Sequence, residues 1–370
     1  MRIKSLKVGN RAEEWDIDTI HFDSNLALLV GVSGAGKTQI LRAINSLKDI
    51  INGASINGFY WHISFTVLSG KEFIWEGEFE NISQRAEDEN ENSLVIISER
   101  VNNTNEGLNK NLIERTKNEI FFKGNKMPKL AGNESMIHIL KEEQVLKEIY
   151  SGFNMIVFKD NANKQERKLV QFNSKEFAEL KKTVKFTGLK NHDRYIFYEL
   201  WASEQFGVYK TIKDKFLDIF PQVEELYFGL RKNKYLCMGA SMEISIKEKN
   251  VEKRIPESRM SSGMLRILDH IIELYNSPDG TIFLIDELEN NLGINCIDVL
   301  IEDLVSENQN IQFIATSHHP YIINNIPYAH WKVVSRKGRT IKVNNTTGYK
   351  LEKSKQDVFV QLTKILEKES

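Results

Sequence analysis

Apolar residues in the first third of the chain come in short runs separated by polar turns. "LALLV" (26–30) is continuous and apolar, the length and character of a strand buried on both faces. Behind it Ile40, Leu41, Ile44, Leu47 and Ile51 recur at helical spacing. "YWHISFTVL" (60–68), "EFIWEGEFE" (72–80) and "SLVIISERV" (93–101) are rich in aromatic and β-branched residues and read as strands. "RAEDENEN" (85–92), acidic and polar, reads as the loop of a hairpin between the last two.

The pattern changes between 134 and 221. Val208, Ile212, Phe216 and Ile219 share one helical face, Phe197, Leu200 and Trp201 indicate a helix before it, and Pro221 closes the block. From Leu226 onward strands and helices alternate: "LYFGL", "MEISIKE", a helix from about 262, "TIFLIDE", a helix, "IQFIATS". Such alternation predicts an α/β fold with parallel strands. Three parts are expected: an N-terminal lobe with an antiparallel β subdomain (1–133), a helical insert (134–221) and a C-terminal lobe (222–370). Near the end, "WKVVSRKGRTIKV" (331–343) reads as a closing hairpin. "SKQDVFVQLTKIL" (354–366) reads as a helix with Val358, Phe359, Leu362 and Ile365 on one face.

Composition excludes more than it assigns. With 41% hydrophobic and 27% charged residues the chain has the make-up of a soluble globular protein. A formal charge of -1 carries no global signature of nucleic-acid binding. Cys237 and Cys296 lie far apart, in no metal-ligand spacing, which fits a reducing compartment. The longest apolar runs are short of a membrane span and "MRIKSLKVGN" lacks the apolar stretch of a secretory signal. The expected location is the cytoplasm, with no membrane contact. Residues 175–215 carry nine Lys and Arg against six Asp and Glu. A solvated helix surface explains that excess as well as a nucleic-acid contact does, so such a contact stays open.

The candidate chemistry begins at Gly31, Val32, Ser33, Gly34, Ala35, Gly36, Lys37 and Thr38, which fit G-x-x-x-x-G-K-[ST] between a strand and a helix. Backbone N–H groups of such a loop, with Gln39 in the first helical turn, converge on phosphate oxygens, and the helix dipole assists. Lys37 would neutralise the β- and γ-phosphates and Thr38 would ligate Mg²⁺. "TIFLIDE" places Asp286 at a strand end, where it could hold Mg²⁺ through water, and Glu287 next to it, where it could polarise an attacking water. In "MSSGMLR" (260–266), Ser261, Ser262 and Gly263 precede a helix; this is an anion site or an ordinary helix cap. In "ATSHHP" (315–320), His318 could face the γ-phosphate side, although a pair of histidines also suits a structural role.

In this order the motifs resemble the ABC-type ATPase superfamily, specifically its soluble branch. That branch includes SMC-like heads and the OLD-like, Septu-type and PARIS-type AAA ATPases of bacterial anti-phage systems. The likeness covers about 1–80 and 222–335. It implies that Gly31 to Thr38 form Walker A and that Met260 to Met264 form the signature, with Ser261 and Gly263 contacting phosphate. Asp286 and Glu287 then match Walker B and the catalytic glutamate, Asn290 to Leu292 the D-loop, and His318, rather than His319, the switch histidine. The chain departs from the pattern at Met264, where the signature has glutamine, and at Gly293-Ile294, where relatives often have His-Pro. Gln84 and Glu99 are alternative Q-loop residues; Arg11 and Trp15 are candidates for the adenine contact.

The resemblance also implies ATP and Mg²⁺ as ligands, and a homodimer or higher homo-oligomer in which one subunit's P-loop faces another's signature helix. It implies control of a separate effector protein, a nuclease or toxin, in anti-phage defence. Two other readings share these motifs: the nucleotide-binding subunit of a membrane transporter and the SMC-like DNA-repair head. More than half of the chain separates Thr38 from Ser261, longer than a transporter subunit's insert, and the middle block lacks the long heptads of an SMC arm. The stretch after His318 is expected to hold no nuclease domain of the kind that OLD-like relatives carry. The middle block offers no clustered carboxylates or Cys/His spacing, so no second active site is expected.

Overall fold

The computed structural model describes residues 1–82, 94–104, 110–159, 171–173, 207–232, 239–289, 294–305 and 310–346. The chain divides into two compact units. The first comprises Met1–Asn161, Asp279–Glu289 and Ile301–Ser370; the second comprises Ala162–Pro278 and Asn290–Leu300. The loop at 85–92, Gln84, the helix expected around Phe197 to Trp201, Asn290 to Leu292 and the helix expected at 354–366 lie outside the described residues.

The first unit is built on one 14-stranded sheet of mixed direction. Its parallel part sets five strands side by side: β10 (Ile156–Lys159), β15 (Ile282–Ile285), β16 (Gln312–Thr316), β3 (Leu26–Val30) and β17 (Trp331–Lys337). β3, β15 and β16 are buried at every position, which is why they read as continuous apolar runs rather than alternating ones. β17 turns back into β18 (Thr340–Asn345), the expected hairpin. The sheet then continues through β2 (Trp15–His21) and β1 (Arg2–Asn10) into an antiparallel meander that starts with β4 (Phe59–Thr66), β5 (Glu72–Phe79), β6 (Ile96–Asn103) and β7 (Lys110–Thr116). Here β4 and β5 alternate buried and half-buried residues, so one face is packed and the other wet. Trp61, Trp75 and Phe79 pack together on the inner face, and Trp75 and Phe65 meet Phe153 edge-on. Phe153 comes from the helix α3 (Gln144–Asn154), which follows the single turn α2 (Met136–Ile139).

Helix α1 (Lys37–Ile51) leaves β3 and buries Ile40, Leu41, Ile44, Leu47 and Ile51 on one stripe. That is the face its sequence periodicity marked.

Two expectations are corrected. Residues 134–221 are not wholly helical: α2, α3 and α4 (Gly207–Ile219) are joined by β10 and by β11 (Gln171–Asn173). "IVFK" is a four-residue apolar run, too short for its period to separate strand from helix, and it becomes a strand because it pairs with β15. Of the strands expected after Leu226, "LYFGL" and "MEISIKE" are not part of the parallel sheet. β12 (Val223–Lys232) and β13 (Gly239–Glu248) pair antiparallel in the second unit, with β11 and β14 (Ile255–Pro256) against β13. The connection between β12 and β13 is too short for a parallel crossover, which takes a dozen or more residues. Beside this sheet, α4 and α5 (Ser262–Asn276) share a core in which Ile212, Phe216, Leu226, Ile246, Ile267 and Ile271 are buried.

Candidate functional site

The loop between β3 and α1 is shaped by two glycines. A Cβ on Gly31 would fall 2.3 Å from the Val334 carbonyl oxygen, so only glycine lets β17 lie this close to the loop. Gly36 is the residue before α1 and has φ 101, a left-handed conformation that glycine adopts without strain. No side chain caps α1, so no side-chain acceptor satisfies its first-turn N–H groups. Within the loop, Ala35 is buried and its N–H donates to the Val32 carbonyl at 3.2 Å, while Val32 is exposed.

Lys37 folds back over the loop and donates to the carbonyls of Gly31 at 2.8 Å and Val32 at 3.0 Å. Burial lowers its pKa, while the carboxylates of Asp286, Glu289 and Glu287 oppose that shift. Thr38, one residue on, donates its hydroxyl to both Asp286 carboxylate oxygens at 3.0 Å. Asp286 follows β15, and β16 lies between β15 and β3. The intervening strand supplies the bridge: Thr316, its last residue, donates to Asp286 Oδ1 at 2.7 Å and accepts the Glu287 N–H at 2.8 Å. The Leu288 N–H donates to the Thr316 carbonyl at 2.9 Å. Glu287 has φ 50, a sparsely populated conformation for a non-glycine residue that costs about 1–3 kcal/mol. The two bonds to Thr316 offset that cost.

Ser33, Gly34, Gly36, Lys37, Thr38, Gln39, Asp286, Glu287, Thr316 and His318 line one cleft of about 660 Å³. Asn10, Glu13, Trp15, Ile56, Phe59, Arg42 and Arg336 complete its wall. A flat aromatic and apolar patch thus continues from the cationic, amide-rich loop, a cleft suited to a nucleotide. Thr38 and Asp286 present hard oxygen donors, which suit a small hard dication such as Mg²⁺. Among the described residues no group of three or more His, Cys, Asp and Glu side chains is arranged to hold a metal ion. Any further ligands at Thr38 and Asp286 would come from phosphate and water.

His318 is exposed and pairs with Glu289, while His319 precedes α7 (Pro320–Asn325) as its N-cap residue. Only His318 of the two lines the cleft. Ser261 caps α5, its hydroxyl accepting the Met264 N–H at 3.1 Å, with Ser262 and Gly263 in the first turn. These three residues belong to the second unit. Glu99, weighed as a Q-loop residue, is buried and accepts from Trp75 Nε1 at 3.0 Å, the Met136 N–H at 2.8 Å and the Ser135 hydroxyl. It anchors α2 to the sheet. Arg11 lies over the Tyr60 ring and pairs with Glu78, whereas Trp15 stands in the cleft wall. Thr316 and Glu289 escaped sequence reading, since an isolated threonine or glutamate beside a motif carries no pattern of its own.

Among the described residues no helix is long and apolar enough to cross a membrane. No curated protein matches the chain. The structure of an SMC head bound to the C-winged helix domain of ScpA superposes with a TM-score of 0.47 at 13% identity, covering 93% of this chain and 97% of that one. The SMC head domain from Thermotoga maritima gives 0.44 at 13%, covering 93% and 99%. The Smc head domain bound to the C-terminal domain of ScpA derived from Pyrococcus furiosus gives 0.43 at 12%, covering 93% and 96%. A family model described as "AAA domain, putative AbiEii toxin, Type IV TA system" matches residues 26–324, from β3 into α7. With its P-loop, its Asp-Glu strand end and a match over most of its length, the chain belongs to this AAA-domain family of P-loop ATPases.

Proposed function

We propose that the chain binds ATP with Mg²⁺ in the P-loop cleft and hydrolyses it to ADP and phosphate. The observation that carries this reading is the convergence of Thr38 and Asp286, 3.0 Å apart, beside Lys37 and Glu287 in one cleft. The loop amides and Lys37 bind and orient the triphosphate. Thr38 and Asp286 hold Mg²⁺, which when bound screens the charge on the phosphate oxygens. Glu287 takes the proton of the attacking water, and its left-handed backbone is held by the bond of its N–H to Thr316. His318 donates a hydrogen bond on the γ-phosphate side.

The finer reading is regulatory. Ser261, Ser262 and Gly263 at the start of α5 form the phosphate-contacting segment offered to a second copy, so ATP joins two copies and hydrolysis releases them. This cycle controls a separate effector, a nuclease or toxin, in anti-phage defence. The motif order supports it, as does a family description that names a toxin of a toxin–antitoxin system. The parts of the chain are an ATPase lobe at each end and an insert between them.

Glu287→Gln tests the reading. It removes the proton acceptor and leaves Thr38 and Asp286 in place, so ATP binding is kept, hydrolysis stops and a larger species accumulates with ATP in light scattering. Hydrolysis at the wild-type rate would reassign the base. The wild-type chain with ATP, Mg²⁺ and DNA or RNA is expected to cleave neither; cleavage would place the effector chemistry in this chain.

A further inference from the structure

Glu289 stands three residues beyond Asp286 and has no part in the reaction described above. Its carboxylate is largely buried, yet it reaches across to the strand-end segment that follows β16. One oxygen, Oε1, meets the same residue twice: it accepts the His318 backbone N–H at 2.9 Å and lies 2.8 Å from His318 Nδ1. The histidine ring is 64% exposed and lines the nucleotide cleft. An exposed imidazole on a loop has free rotation about two torsions and two tautomers of similar energy. Both freedoms are removed here. The backbone bond fixes the segment, and a carboxylate oxygen 2.8 Å from Nδ1 holds the ring and requires a proton on that nitrogen.

We propose that Glu289 is a positioning residue for His318, holding its ring in the Nδ1–H form so that Nε2 is the nitrogen offered to the cleft. The proposal rests on the reading that His318 serves the reaction. When the ring carries both protons, Nε2 can donate to a phosphate oxygen while Nδ1 stays against Glu289. Glu289 touches the ring directly.

The test uses the full chain and two independent readouts. The first is the tautomer. In long-range ¹H–¹⁵N spectra of protein labelled at histidine, recorded without nucleotide at about pH 8 where an ordinary imidazole is neutral, His318 should show a protonated Nδ1 and a bare Nε2. The His318→Ala difference spectrum identifies its signals. The reverse tautomer, or a mixture, overturns the proposal without any variant of Glu289. The second is kinetic. Glu289→Ala and the similarly sized Glu289→Met remove the acceptor and should lower kcat by about 10- to 100-fold with KM for ATP little changed. Glu289→Gln keeps an acceptor oxygen and should recover most of that loss. His318→Ala separates the two levels. If it hydrolyses ATP like wild type, the reading of His318 fails; if it is impaired while Glu289→Met is not, the positioning role of Glu289 fails.

Discussion

The hydroxyl of Thr316 donates to Asp286 Oδ1 at 2.7 Å from the end of the strand that separates Asp286 from the P-loop strand. The same oxygen accepts the Glu287 N–H, so one buried hydroxyl fixes the direction of the Asp286 carboxylate and the backbone of the next residue. Thr316→Val keeps the shape and removes both bonds. ATPase kcat is expected to fall by about 10- to 100-fold, as for other partners that orient reacting groups. Stability should fall by about 1–3 kcal/mol, because a buried N–H is left without its acceptor. Thr316→Ser should retain most of the rate. Steady-state assays of the two variants check this, and a Val variant with the wild-type rate removes Thr316 from the account.

The P-loop glycines differ in a way that denaturant titration can resolve. Gly34 and Gly36 have φ 82 and 101, so alanine at either position is strained. At Gly34 an added Cβ meets nothing within 4 Å, whereas at Gly36 it falls 2.4 Å from Ile341 Cδ1 in β18. Gly34→Ala should therefore cost only the backbone strain, about 1 kcal/mol. Gly36→Ala adds an overlap with a fully buried side chain, typically a further 1–3 kcal/mol. Equal losses would mean that β18 yields and that the close approach is unimportant.

These particulars mark what the sequence makes legible. β3, α1, β15 and β16 were readable because each buries a whole face or a whole strand, and the loops that follow them carry fixed residue types. Lys37, Thr38, Asp286, Glu287 and His318 consequently reach one cleft, as their motifs required. β10 was not legible, because "IVFK" acquires its state from a neighbouring strand more than a hundred residues away. The antiparallel pairing of β12 with β13 was overridden in the reading by the alternation around it, although the length of their connection carried the signal. Glu99 illustrates the same limit: a polar position in a strand looked available for a ligand, and the structure uses it to hold Trp75 and the start of α2.

Glu99 gives a pH-dependent prediction. Burial raises its pKa, and the hydrogen bonds from Met136, Ser135 and Trp75 and the charge of Arg115 only partly oppose that. The folded protein therefore keeps this proton to higher pH than the unfolded chain does. Stability contributed by the protonated form is full below the unfolded pKa, near 4.5, and is lost as pH rises toward the folded value. Glu99→Gln has no such proton. The stability difference, wild type minus Gln variant, should thus decline as pH rises from 5 upward in urea titrations. A difference that stays constant or grows would place the carboxylate's ionisation outside this range.

Lys37 separates the loop's own stability from its affinity for nucleotide. Its ammonium bonds two loop carbonyls, but burial works against its charge and three carboxylates compensate only in part. Removing it gives up two hydrogen bonds and relieves a desolvation penalty, so Lys37→Ala should change the stability of the nucleotide-free protein by less than about 1 kcal/mol. Binding is a different matter, since backbone amides alone cannot balance the charge of a triphosphate. A ligand present at about 100 times its Kd stabilises the folded state by roughly 2.7 kcal/mol. Wild-type protein should therefore melt several degrees higher with ATP and Mg²⁺, and Lys37→Ala should melt at the same temperature with and without them. Isothermal titration should show the matching loss of heat. An undiminished thermal shift in the variant would mean that the triphosphate is held elsewhere, because no other side chain of the loop carries positive charge.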